Sequence, residues 1–217
     1  MYRYFKKARD PISSYTHAIG AFLSVVGSLA MIIYCTVIAD FSPVPLIGAV
    51  IFGLSLIALY SASTIYHYVN TTKQHIVRLR KLDHAMIYVL IAGTYTPITL
   101  IYLDKPYGYI FTSIIWAIAI LGIIVKLLWL NAPRLLSTAF YLLLGWAVVF
   151  DFKSFHAVPF NCMLLIAIGG IFYSVGAILY VLKWPNISRS WGFHELFHIF
   201  IMLGSISHFL AIFLYVL

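Results

Sequence analysis

His194 and His198, four residues apart, open the last apolar run of the chain. Positions i and i+4 of a helix share one face about 6 Å apart along the axis, so both imidazoles can reach one ion. His67 closes the second apolar run, Ser63 stands one turn before it, and Asp83 opens the third. Zinc takes imidazole nitrogen readily and prefers about four ligands, so His67, His194 and His198 would leave one position for water, as in a catalytic site. Asp83 could hold and deprotonate that water, and Ser63 could hydrogen-bond to it or to a developing oxyanion. Each residue also has a plainer reading. A histidine at a helix end can be an interfacial side chain with a wet tip. Asp83 follows Arg80 and Lys81 and could be a helix N-terminal charge with cation partners. The convergence of these groups favours a metal.

His194-Glu-Leu-Phe-His198 also reads as HExxH, a zinc-protease pattern with the glutamate as base. No Asp, Glu or Cys follows Glu195, and the later histidine, His208, lies more than two turns deeper. Glu195 points about 100° away from His194 around the helix. A third ligand must come from upstream, which weakens the protease reading.

Positioning these groups falls to elements of an unusual composition. The 217 residues are 63% hydrophobic and 9% charged, against about 25% charged in a soluble domain. So few charges cannot build a water-facing surface, so the solvent must be mostly lipid. Seven apolar runs cover approximately 16–38, 44–68, 83–103, 108–129, 134–151, 158–182 and 194–216. Each must be helical, because backbone groups in lipid have to be satisfied within the segment. The fold class is therefore all-α, one seven-transmembrane-helix bundle over residues 1–217, with the fifth helix the shortest. The first run begins near Tyr15 and is too long for a signal-peptide core, so it reads as a retained helix.

The net charge of +8 does not point to nucleic acid, since the cations sit in the gaps between runs. Lys105 and Lys153 fall on one side, and the other twelve of the fourteen basic residues fall opposite. The positive-inside rule then sets the N-terminus in the cytoplasm, the C-terminus outside, and the chain as a multi-pass protein of the cell membrane. His67, Asp83, His194 and His198 all fall at cytoplasmic helix ends. Cys35 and Cys162 lie toward outer helix ends and read as buried apolar thiols, although a bridge is geometrically open to them. His208 shares the inward stripe of His194 but lies about 21 Å along, and reads as a helix-bonding or cavity-lining residue. His17 and Thr16 read as partners of the site's ligands or as a helix cap. His75 and His156 read as solvated loop residues, and His84 as turned away from Asp83.

Ser63-Thr-Ile-Tyr-His67, Lys81-Leu-Asp83 and His194-Glu-Leu-Phe-His198 together resemble the motifs of the hemolysin III family, the bacterial branch of the progestin and adipoQ receptors. The stretch from Asp10 through Thr16 and His17 to Gly20 is similar to that family's N-terminal motif, with Ser13 standing where Asn is expected. Gly93-Thr-Tyr-Thr-Pro97 and Gly204-Ser-Ile-Ser-His208 fit as well, so the resemblance runs from about residue 10 onward. It implies zinc near the cytoplasmic face, held by His67, His194 and His198, with Asp83 on the zinc-bound water and Ser63 beside it. A wider superfamily with the same residue set includes alkaline ceramidases, which hydrolyse lipid amides. Cytolysis is attributed to some members and membrane lipid homeostasis to others.

Four functions are therefore expected to compete. A zinc-dependent lipid hydrolase comes first. A receptor-like membrane sensor with structural zinc comes second. A cytolysin is third, disfavoured because the chain has no surface that water tolerates. An intramembrane protease is last. The expected partners are membrane lipids, with the basic loops favouring anionic head groups.

Overall fold

At membrane depth no water bonds the backbone, so each apolar run closes its own amides as a helix. A computed structural model describes residues 2–39, 41–188 and 190–217, without the side chains of Tyr2 and Arg3. Arg189 and the Arg3 side chain, which are among the basic residues counted above, lie outside the described residues. Among the described residues the chain is all-helical. After a short turn at Tyr2–Phe5 come α1 (Pro11–Ile33, continued by a π-helical turn at Tyr34–Ile38), α2 (Pro43–Tyr68) and α3 (Lys73–Tyr102). There follow α4 (Tyr107–Leu128), α5 (Arg134–Gly145, resumed as Ala147–Phe150), α6 (Phe160–Leu182) and α7 (Phe193–Tyr215).

Six of these helices are long and apolar enough to cross a membrane, and α5, with 12 residues, is not. The fifth crossing is nevertheless made. Arg134, at the start of α5, stacks on Tyr180 near the end of α6 and on Phe193 at the start of α7. Asp151, just beyond Phe150, accepts a hydrogen bond from Tyr107 at the start of α4, the opposite end of the bundle. Residues 134–150 thus run from one end to the other, about 26 Å at 1.5 Å per residue, close to a hydrocarbon thickness of about 30 Å. The bundle has the expected seven crossings, and the chain is a multi-pass integral membrane protein. The outward faces carry large apolar side chains, among them Phe22, Leu54, Leu121 and Phe140, as a lipid solvent requires.

The break in α5 falls at Gly145–Trp146 and is closed by one hydroxyl. Tyr95 of α3 donates its hydroxyl to the Gly145 carbonyl at 2.8 Å and accepts from the Val148 N–H at 3.1 Å. Two backbone groups that the interruption frees are satisfied there, as membrane depth demands.

Two helices start earlier than the apolar pattern predicts. α3 begins at Lys73 rather than near residue 83, and Thr72 accepts from the His75 N–H at its cap. A helix that leaves the bilayer loses its apolar signature but keeps its hydrogen bonds, so hydropathy does not see these basic turns. Asp83 therefore lies inside α3 instead of opening it, which removes its reading as a helix N-terminal charge. His75 lies in the first helical turn, not in a loop, and is exposed as expected. α1 begins at Pro11, which suits the first helical turn because its missing N–H would be unsatisfied anyway. The Asp10–His17 motif thus becomes the entry to α1 and its first two turns.

α1, α2 and α3 pack side by side, α6 lies against α7, and α7 closes on α1. Small residues let the backbones approach, as in other membrane bundles. A Cβ on Gly48 of α2 would sit 2.7 Å from Pro97 Cβ and 2.9 Å from Pro97 Cα of α3. By contrast α5 touches α3, α4 and α6 sparsely. The space left behind it is a cavity of about 760 Å³.

Candidate metal centre

His67 ends α2, while His194 and His198 occupy the first two turns of α7. Antiparallel connectivity brings those ends together. The ligand atoms of the three imidazoles all lie within 4.8 Å of one another. His67 Nε2 stands 3.4 Å from His194 Nε2. His67 and His198 are buried and His194 nearly so. The three histidines singled out from the sequence are thus one cluster, able to hold a metal ion.

The ring orientations support that reading. His67 Nδ1 lies 2.9 Å from Asp10 Oδ2, and a carboxylate only accepts, so Nδ1 carries the hydrogen. The lone pair is then on Nε2, which faces His194. A ligating histidine is commonly fixed by a carboxylate in this way. Burial of Asp10 works against its ionisation, but hydrogen bonds from His67 and Arg9 outweigh it and hold the carboxyl below its ordinary value. Arg9 grips the same carboxylate oxygen at 3.0 Å from both Nε and Nη2, and its guanidinium lies over Tyr66. Asp10 opens the N-terminal motif of the sequence, where no role is assigned to it. The signal was there, as an Asp-Pro step at the mouth of a membrane helix.

His17, one helix over, stacks on His198 with ring centroids 3.7 Å apart and planes at 18°. Neither of its ring nitrogens makes a hydrogen bond among the described residues. It props a cluster histidine by its face. Thr16 does not cap α1: its hydroxyl bonds back to the Ile12 and Ser13 carbonyls.

Glu195 turns toward α1. One carboxylate oxygen accepts from the Gly192 N–H at 2.9 Å and the other from the Ser13 hydroxyl at 3.1 Å. Both oxygens serve the start of α7 and its seam with α1, away from the imidazole cluster. Ser13, which replaces an expected Asn, thereby has a partner.

Ser63 and Asp83 line the same cavity as the histidines. Ser63, 1% exposed on α2, lies within interaction range of the Asp83 carboxylate on α3. His84 is not turned away from Asp83, contrary to the sequence reading: its Nδ1 lies 3.4 Å from Asp83 Oδ2. Backbone positions 100° apart can still share a partner when both side chains bend into one cavity, and these two do.

The remaining histidines and cysteines lie apart from the cluster. His208 Nε2 contacts the Ile166 carbonyl of α6 at 3.1 Å, the interhelical bond expected of it. His156 is exposed. Cys35 and Cys162 are buried free thiols, and Cys162 donates to the Ala211 carbonyl.

Comparison with known proteins supplies the context. The family described as Haemolysin-III related matches residues 5–209. The chain is 36% identical over 203 residues to Hemolysin-3 of Bacillus cereus, covering 93% of this chain and 89% of that protein. It is also 36% identical over 202 residues to the Hemolysin-3 homolog of Bacillus subtilis strain 168, covering 92% and 91%. The human Monocyte to macrophage differentiation factor is 27% identical over 180 residues, covering 78% of this chain and 70% of that protein.

Proposed function

The chain belongs to the haemolysin III family, and on that premise we propose that it is a zinc-dependent membrane hydrolase acting on a carbonyl bond of a lipid, an amide foremost. The observation that carries this reading is the three-histidine cluster in the wall of a cavity that Ser63 and Asp83 also line. Three imidazole nitrogens suit zinc and leave a position open. A zinc ion held by His67, His194 and His198 would supply the Lewis acid for the carbonyl and for water. The chain's own groups do the rest. The Asp83 carboxylate takes a proton from the attacking water at Oδ and returns it to the leaving amine. The Ser63 hydroxyl donates to the carbonyl oxygen as charge develops there. Asp10 fixes the ring of His67 through Nδ1 and aims Nε2 at the cluster. The deeper cavity wall, with Leu59, Leu90, Ile98 and Met163, is apolar and takes acyl chain. The basic excess at the histidine end supports a cytoplasmic setting for that end.

Elemental mass spectrometry of the purified protein tests the centre. The expected result is about one zinc per chain, absent from both His67→Ala and His194→Ala. A folded wild type without zinc overturns the mechanism. Asp83→Asn should keep zinc and lower lipid-amide turnover by roughly 10²-fold or more. Unchanged turnover removes Asp83 from its role.

One observation favours a second reading, a non-enzymatic sensor. The cluster joins the ends of α2 and α7, helices linked deeper by Tyr60 of α2, which donates to Ser205 of α7 at 2.7 Å. A metal there would clamp the bundle. Under that reading Asp83→Asn changes nothing measurable, while chelation lowers the melting temperature.

A further inference from the structure

The cavity that carries the imidazoles also carries cations that no carboxylate neutralises among the described residues. Lys126, in the last turn of α4, is 5% exposed, and its ammonium donates to the Ser137 hydroxyl at 3.0 Å. One neutral hydroxyl leaves two of its three hydrogens without a hydrogen-bond partner among the described residues. Arg80 of α3 stands close enough for the two positive charges to repel. Arg134 opens α5, donates to the Tyr180 carbonyl at 2.8 Å and stacks on that ring. All three line the cavity.

The acids at this end of the bundle are engaged elsewhere. Asp10 holds Arg9 and His67, Asp83 holds His84, and Glu195 holds Gly192 and Ser13. No carboxylate lies within 4 Å of Lys126, Arg80 or Arg134 among the described residues. A buried ammonium without an anion is costly, and more so beside a second cation. The start of α5 adds to the field, because Pro133 at its N-cap offers no side-chain acceptor for the first-turn N–H groups. Backbone donors at a helix start, a buried lysine and two arginines together make a phosphate site.

We infer that Lys126, Arg80 and Arg134 bind the phosphate group of an anionic lipid whose acyl chain occupies the apolar part of the same cavity. The inference rests on the lipid-hydrolase reading for its direction, since it names the head-group class that this cavity takes. The phosphate anchors the lipid at one wall, and the acyl chain runs inward past Ile98 and Met163 toward the middle of the bundle. Inorganic phosphate shares the head-group chemistry but gains nothing from the apolar part.

The test uses full-length protein in detergent and native mass spectrometry with added lipid. Phosphatidic acid should be retained, and diacylglycerol with the same chains should not. Lys126→Gln and Arg80→Gln should each weaken retention by roughly tenfold or more, with zinc content unchanged. The Arg80 variant keeps the test valid if the buried Lys126 variant fails to fold. Equal retention of the two lipids, or retention unaffected in a folded variant, overturns the inference. Inorganic phosphate that raises the melting temperature as much as phosphatidic acid does overturns the lipid assignment and makes free phosphate the ligand. His194→Ala should lose zinc yet retain phosphatidic acid. Retention without any metal-dependent turnover in wild type would therefore end the hydrolase reading and leave the phosphate site standing.

Discussion

The seam where α1, α2 and α3 meet and the wall formed by α5 solve opposite problems in one bundle. In the seam, glycines and small hydroxyl residues bring helix backbones into contact, and Gly48 against Pro97 leaves no room for a methyl group. At the wall, a helix interrupted at Trp146 stands away from its neighbours, and a cavity of about 760 Å³ opens behind it. Lipid tails are as apolar as leucine, so close packing is the main force that joins helices in a membrane. The seam uses that force to hold His67 and Asp83 in register. The wall forgoes it and leaves room for a ligand.

The comparison is most easily broken at the seam. Gly48→Val should be the most damaging of these changes, costing about 3 kcal/mol of stability through forced separation of α2 and α3. A thermal melt in detergent reads it, and a melting point within error of wild type would mean that the seam has slack. Next comes Tyr95→Phe, which strands the Gly145 carbonyl and Val148 N–H at the break in α5. A loss of about 1–2 kcal/mol is expected, with faster hydrogen exchange at residues 145–148 as the local readout. Filling the wall should cost less. Leu142→Phe on α5 projects into open cavity and should change stability by less than about 1 kcal/mol while reducing lipid retention. If Leu142→Phe destabilises as much as Gly48→Val, the wall is as tight as the seam and the contrast fails.

The smallest effect belongs to the far end. Tyr107 donates to Asp151, and this bond holds the carboxyl below its ordinary value. A lowered folded-state value stabilises above the unfolded value and is lost as pH falls through the folded one. Tyr107→Phe should therefore leave the melting point nearly unchanged, and it should remove a slight acid sensitivity in melts run from neutral pH down through the carboxylate range.

Much of this was legible in the chain. The seven crossings follow from seven apolar runs, and the alternation of basic loops fixed their count where α5 alone is too short. His67, Asp83, His194 and His198 stood out because ionisable groups at membrane depth are costly. The starts of α1 and α3 were missed because apolar content marks where a helix meets lipid, not where its hydrogen bonds begin. His84 was misread because rotation around a helix fixes Cβ directions, and a long side chain can still swing to a neighbour.

The sequence by itself determined that this is a helical membrane protein and which imidazoles are available to a metal. Composition and local hydrogen bonding decide those things within each segment. Tertiary structure alone decided which groups serve one another: Asp10 on His67, His17 against His198, Ser13 with Glu195, and Lys126 without an anion among the described residues. Those partners are 57, 181 and 182 residues apart in the first three cases, and their meeting depends on how helices pack, which no local pattern encodes.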